Sequence, residues 1–358
     1  MNNSVCILPT EKCGLNCPFC SYSARRNSTA SLRELSIIND TIRTSLADLV
    51  MNSSVIIFSG GGEPLLNLKF IEDTMLLVSN KQFVITTGLG IESNKLVDTI
   101  DHIDRICSKN SSSCSIRISV DRYHLTQYDY RQRLSLLLHQ SISSRWKCCS
   151  IDSIRTIFID RGFTNNLVSD IAKMQSWNIT FDSDEIDNSK IIVNDKILKI
   201  EYKPLIHPER HGIKDIFSME EYLNILDNSS NRFFVPRKDV LLDKVTDNNE
   251  INCNQMEGLS LTVDVSGNVY IYGVELSKLG NISDEILSFD QIVQRLFDTT
   301  WYDYFEANSI KDIMQAFLSD LKLGKLVRSI NYPYEVIREL NDYHNEELNR
   351  YLLRLVSL

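Results

Sequence analysis

The chain has 358 residues, enough for one large core or for a domain with an appendage, and its 43% hydrophobic and 24% charged fractions suit a folded globular protein. A net charge of −9 and the lack of any dense lysine and arginine stripe argue against nucleic acid as a partner. The first residues lack the basic start and apolar run of a signal peptide, and no apolar stretch approaches the ~20 residues that span a bilayer, so the expectation is a cytoplasmic protein without a membrane partner. Nine cysteines, an odd number in a long chain without a secretion signal, read as reduced thiols rather than a disulfide framework.

In chain order, a first strand over 5–9 leads directly into CGLNCPFC, which places Cys13, Cys17 and Cys20 in one loop. A helix-length stretch over 31–49 follows, then a strand over 55–59 running into SGGGEPLL, a helix over 68–78 and a strand over 83–87 that ends in TTG. After a helix over 94–106, the strand over 115–120 ends in SVDRYH. Helices over 127–139 and 165–175 then alternate with strands over 154–159 and 197–203. Six strand–helix repeats predict α/β architecture, a partial (β/α)6 TIM-like barrel around a parallel sheet. The segment 177–195 is ambiguous and reads as a hairpin-like addition beside the sixth strand.

Past KPLIHPERHG the alternation stops. We expect a barrel over 1–210 and an α+β extension over 211–358, with a helix over 217–226, a polar junction over 239–254 and a β-hairpin in LSLTVDVSGNVYIYG about a Ser-Gly-Asn turn. Val336, Ile337, Leu340, Tyr343, Leu348, Tyr351, Leu352 and Leu355 recur at helical spacing and predict a terminal helix docked on a core. The remaining cysteines, Cys6, Cys107, Cys114, Cys148, Cys149 and Cys253, form no second tight cluster along the sequence and read as buried thiols.

Three thiols at C-x3-C-x2-C can converge on one metal centre, and soft thiolates select zinc or iron–sulfur clusters. A structural zinc site wants four protein ligands, and no fourth cysteine or histidine lies at a ligand-like spacing nearby. An iron–sulfur cluster with one open iron fits better. Cys13, Cys17 and Cys20 in CGLNCPFC, with Phe19 before the last thiol, resemble the CxxxCxxC loop of the radical S-adenosylmethionine (radical SAM) superfamily. Gly61, Gly62, Glu63 and Pro64 resemble its GGEP motif. The resemblance implies one 4Fe-4S cluster on the three cysteines and S-adenosylmethionine on the open iron. Phe19, the Gly61–Pro64 turn, Thr87, Ser119, Asp121 and Arg210 are then the cofactor-binding candidates. Asp121 and His124 are the catalytic candidates, and Arg122 and His124 are candidates for the substrate side.

The segment from Cys253 to Ile282 resembles the start of the SPASM or twitch extension of peptide-modifying relatives, which carries an auxiliary cluster. Cys253 and Gly267 match that pattern, but Tyr272 stands where a ligating cysteine is expected and no cysteine follows Cys253. The extension therefore reads as degenerate, and Cys253 becomes a candidate hydrogen-atom donor.

By resemblance, the activity is reductive cleavage of S-adenosylmethionine to a 5'-deoxyadenosyl radical that abstracts hydrogen from a substrate, with flavodoxin or ferredoxin as electron donor. The favoured substrate is a ribosomal peptide or peptide-derived natural product, modified by cross-linking, epimerisation or side-chain cleavage. The alternatives are a free amino acid, sugar or nucleotide and, from another class, a noncatalytic iron–sulfur or zinc module, which leaves GGGEP without a role.

Overall fold

The computed structural model describes residues 3–15, 17, 32–126, 129–157, 161–182, 190–203, 218–220, 223, 258–330, 333–343 and 345–356. Cys20, Phe19, Arg210 and Cys253 lie outside these residues, as do the junction over 239–254 and more than half of the expected helix over 217–226. The chain forms two compact units, one of residues 7–38 and 55–204, the other of 1–6, 39–54 and 205–358.

The elements alternate as expected: β1 (Ser4–Ile7), α1 (Asp40–Met51), β2 (Val55–Phe58), α2 (Leu68–Met75), β3 (Gln82–Thr87), α3 (Ser93–Lys109), β4 (Ser113–Ser119), α4 (Tyr130–Ile142), β5 (Cys149–Ile157), α5 (Arg161–Met174), β6 (Ile179–Asp182), β7 (Lys190–Val193) and β8 (Lys196–Lys203). In the first unit β2, β3, β4, β5 and β8 pair in parallel in that order, and the Ser59 amide bonds the Ile7 carbonyl of β1, 3.1 Å away. Strands β7 and then β6 add antiparallel beyond β8, so the described residues of the ambiguous segment 177–195 lie beside the sixth strand of the repeat, β8. This unit is α/β with an open sheet, a partial barrel.

The strands are short and rich in isoleucine and valine, as strands covered by crossover helices should be. Leu96, Ile100, Ile103, Ile106 and Cys107 make one buried stripe on α3, and Cys114, Ile116 and Ile118 of β4 face the helix side in alternation. Phe58 of β2 and Phe83 of β3 stack in the same layer, with ring centroids 6.3 Å apart.

One expected helix is shorter than its sequence pattern. The stretch 31–49 becomes helical only at Asp40, because Asn39 accepts the Ile42 amide as a helix cap and 32–38 is bound in extended form. Leu35 donates to the Pro9 carbonyl at 2.9 Å, and Thr10 forms a bridge with Glu34. The loop after β1 thus has a backing strand before α1 begins.

The second unit holds β9 (Ser260–Val263), β10 (Asn268–Ile271) and β11 (Gly280–Asn281), with β9 and β10 forming the expected hairpin about Gly267. Among the described residues six helices follow: α6 (Phe289–Phe297), α7 (Tyr302–Ala307), α8 (Ile310–Ser319), α9 (Leu323–Val327), α10 (Pro333–Tyr343) and α11 (Asn345–Val356). The single terminal helix expected from spacing is two, α10 and α11. Val336, Ile337, Leu340 and Leu348 are fully buried, so the apolar stripe is core. Helix α1 packs within this unit, where Ser45 Oγ donates to the Glu285 carbonyl and accepts the Leu287 amide. Among the described residues, no helix is long and apolar enough to cross a membrane.

Candidate functional site

The loops after β1, β2, β3 and β4 meet at the carboxyl ends of the strands, where parallel α/β sheets place their ligands. Cys13 and Cys17 sit in the loop after β1, reduced and partly exposed. The turn after β2 is pressed against the foot of that loop. Gly60 and Gly61 have φ of 77° and 67°, a region that side chains resist, and a Cβ on Gly61 would lie 2.7 Å from the Thr10 carbonyl oxygen. A Cβ on Gly62 would collide with the Lys12 carbonyl. The same approach lets the Glu63 amide donate to that carbonyl at 2.8 Å. The glycines are there for close packing of two loops, one of which carries the thiols.

Glu63 is 2% exposed and works inward. Its carboxylate accepts the Leu65 amide at 3.3 Å and the Gly88 and Gly90 amides at 2.9 and 3.2 Å, tying the loop after β2 to the loop after β3. Burial raises its pKa, against the opposing pull of these amides and of the Thr87 hydroxyl. Pro64 opens the short helical turn that follows. Thr87, 1% exposed at the end of β3, also accepts the Leu89 amide through its hydroxyl at 2.9 Å. The cofactor candidates Glu63 and Thr87 are therefore joined to each other, both with buried side chains.

Asp121 and His124 form a second knot. One Asp121 carboxylate oxygen accepts the Tyr123 and His124 amides, each at 3.0 Å, and the other bonds His124 Nδ1 at 2.7 Å. The opposite ring nitrogen, His124 Nε2, lies 3.5 Å from Cys17 Sγ. Burial disfavours the charged imidazole, but Asp121 and Cys17 outweigh it and hold the pKa up to about 10. His124 is thus directed at the thiol loop, while Arg122 is exposed. Gly88 leaves room for this contact, since a Cβ there would meet Leu15 and come within 3.0 Å of His124 Nε2. Ser119 ends β4, and its carbonyl accepts the buried Tyr130 hydroxyl.

Sequence reasoning missed two arginines. Register aligns Thr86 with Arg117 and Ser153, and Ser119 with Arg155, all on the sheet face away from the helices. The signal was present in SIRIS, where polar residues alternate with apolar ones in a strand that crossover helices would otherwise make apolar throughout. A register shift between Ile116 and Arg117 brings Arg155 onto that face.

The residues fit an iron–sulfur cluster by their donor chemistry. Cys13 and Cys17 offer two soft thiol donors from one loop, reduced and partly exposed, and Gly61 and Gly62 let the next loop pack against the backbone at its foot. Among the described residues no group of three histidine, cysteine, aspartate or glutamate side chains is preassembled for a metal. Cys20, the expected third ligand, lies outside these residues.

The chain is similar over all its length to the solved structure of hexahistidine-tagged anSMEcpe with bound AdoMet, at 15% identity and a TM-score of 0.47, covering 96% of that chain. It is also similar to phosphofructokinase-2 from Escherichia coli in complex with potassium, at 10% identity and a TM-score of 0.23, covering 58% of this chain and 80% of that one. Neither likeness is close enough to bear on function. No curated protein matches. The family model described as Radical SAM superfamily matches residues 7–133, which hold the thiol loop, the GGEP turn, Thr87, Ser119, Asp121 and His124. Over residues 7–133, about a third of its length, the chain is thus similar to the radical SAM superfamily.

Proposed function

We propose that this enzyme directs radical chemistry at a C–H bond of a ribosomal peptide or a peptide-derived natural product. The observation that carries the catalytic part is the packing of the CxxxCxxC loop on the GGEP turn. Cys13, Cys17 and Cys20 would hold the cluster. When bound, the cluster and S-adenosylmethionine supply a carbon-centred radical able to take a hydrogen atom.

The chain's own residues then bind, orient and exclude water. The backbone of Gly61–Pro64 presents polar groups to the amino acid part of the cofactor, while Glu63 and Thr87 keep that turn rigid. Ser119 at the end of β4 faces the ribose or carboxylate. Asp121 orients His124 against Cys17 and so positions the thiol loop. Arg117 and Arg155 supply positive charge on the open sheet face for a carboxylate of cofactor or substrate. Phe19 and Arg210 complete the cofactor contacts, and Cys253 serves as hydrogen-atom donor.

The hairpin of β9 and β10, with Tyr272 in place of a ligand cysteine, supports the peptide reading through its resemblance to the SPASM extension. A cytoplasmic setting with flavodoxin or ferredoxin as reductant accords with this chemistry. The test is deuterium transfer: the reduced, anaerobically reconstituted protein is incubated with S-adenosylmethionine and a deuterated peptide encoded beside its gene. Deuterium in 5'-deoxyadenosine is expected. Transfer only from free amino acids, sugars or nucleotides would overturn the peptide reading. Replacing Cys253 with alanine should stall product and leave S-adenosylmethionine cleavage intact, and an unchanged product yield would remove that role.

A further inference from the structure

Three cysteines that are far apart in sequence meet at the amino ends of β4 and β5. Cys107, near the end of α3, lies on the buried stripe of that helix, whose Asp104 accepts the Cys149 amide at 2.8 Å, and Cys114 and Cys149 are its neighbours on the sheet. Cys114 and Cys149 are direct register partners on the parallel pair β4–β5, and all three are reduced. Their exposures are 0%, 1% and 6%. The backbone holds the group firmly. The Ser112 amide donates to the Cys107 carbonyl at 2.9 Å, Cys114 donates to Cys148 at 2.8 Å, and Asp104 of α3 accepts the Cys148 and Cys149 amides at 2.7 and 2.8 Å. The expectation of no second cysteine cluster is thus corrected: the sheet register assembles one that linear spacing hides.

We propose that Cys107, Cys114 and Cys149 form a thiol-oxidation site, in which a peroxide converts Cys107 and one of the two strand thiols into a disulfide. The balance is two thiols and one hydrogen peroxide giving one disulfide and two water molecules. One thiolate attacks a peroxide oxygen, the O–O bond breaks, and the second sulfur displaces the oxygen from the resulting sulfenic acid, with both thiol protons leaving in water.

Geometry selects Cys107 as the shared partner. Cα atoms of paired neighbouring strands lie ~4.8 Å apart, inside the ~4.4–6.8 Å range of disulfides. The side chains of Cys114 and Cys149, however, leave the sheet side by side, whereas Cys107 meets both from the opposing helix. Two thiol donors on Cys107 also pull its pKa down, as the nucleophile of such a step requires, while sharing in these bonds pushes Cys114 and Cys149 up. Cys149, the most exposed of the three and next to half-buried Cys148, is where a small oxidant first meets the group. The site is separate from the cofactor loops. Cys114 is near the start of β4 and Ser119 at its end, roughly 16 Å away at ~3.3 Å per residue.

The test uses the full-length protein and its Cys13→Ala, Cys17→Ala, Cys20→Ala triple variant, which removes competition from the loop thiols. Each is exposed to stoichiometric hydrogen peroxide, unfolded, alkylated and mapped by non-reducing mass spectrometry. The expected result in both is one linkage, Cys107–Cys114 or Cys107–Cys149, reversed by dithiothreitol and absent after Cys107→Ser. Because the wild-type map needs no variant to fold, poor folding of Cys107→Ser leaves the test intact. Full alkylation of all three thiols, single-cysteine sulfinic acid, linkage only to Cys13, Cys17 or Cys20, or stoichiometric zinc or copper retained by the triple variant would each overturn the proposal.

Discussion

Replacing Gly62 with alanine tests whether the GGEP turn is a platform for the thiol loop. The new Cβ would collide with the Lys12 carbonyl oxygen and sit 2.7 Å from the carbonyl carbons of Glu11 and Lys12, where ordinary Cβ contacts are 3.4–4 Å. Those atoms are backbone, so no side-chain rotation relieves the contact and one loop must move. Overpacking of this kind costs ~1–3 kcal/mol, and loss of the Glu63 amide bond to Lys12 adds ~1 kcal/mol, for about 2–4 kcal/mol in all. Cys13 follows Lys12 directly, so the shift should also reduce iron and sulfide bound after anaerobic reconstitution. Gly162→Ala in α5 is the control: its Cβ meets nothing within 4 Å, and it should leave both stability and iron content at or above wild type. Chemical denaturation and iron analysis read the two effects. Wild-type stability together with full iron loading in Gly62→Ala would refute the argument.

Other predictions follow from the same contacts. Glu63→Gln places an amide donor against three backbone N–H groups, and should cost about 1–3 kcal/mol by denaturant titration. Asp121→Ala leaves two amides and His124 Nδ1 without their acceptor and should cost about 2–4 kcal/mol, whereas Asp121→Asn keeps the oxygen that serves the amides and should cost less. The Arg145 guanidinium, with help from Trp146, holds the Asp101 carboxyl below its ordinary value of 3.8. A depressed folded pKa gives stability that is present above 3.8 and lost as pH falls through the lower folded value, so the stability gap between wild type and Asp101→Asn should close in acid.

Much of the partial barrel was legible because period-two and period-3.6 patterns are local properties. The hairpin about Gly267 was legible for the same reason, since Ser-Gly-Asn fixes the turn between two alternating runs. The late start of α1 was not, because it depends on Thr10 and Pro9 pairing with 34–35, a contact made across the thiol loop. At the site, the thiol loop and the GGEP turn announced themselves as short motifs. The inward use of Glu63 did not, because its partners Gly88 and Gly90 belong to another loop. The His124–Cys17 contact joins residues 107 positions apart. Arg155 depends on a strand irregularity and the Cys107, Cys114 and Cys149 group on sheet register, and neither leaves a spacing in the sequence.

The central claim is that the loop of Cys13, Cys17 and Cys20 makes this chain an enzyme that cleaves S-adenosylmethionine. Its most direct test is 5'-deoxyadenosine formation by the reduced, anaerobically reconstituted protein supplied with S-adenosylmethionine. The account predicts 5'-deoxyadenosine from the wild type and none from Cys17→Ala. No 5'-deoxyadenosine from an iron-loaded wild type, or equal amounts from both proteins, would contradict it.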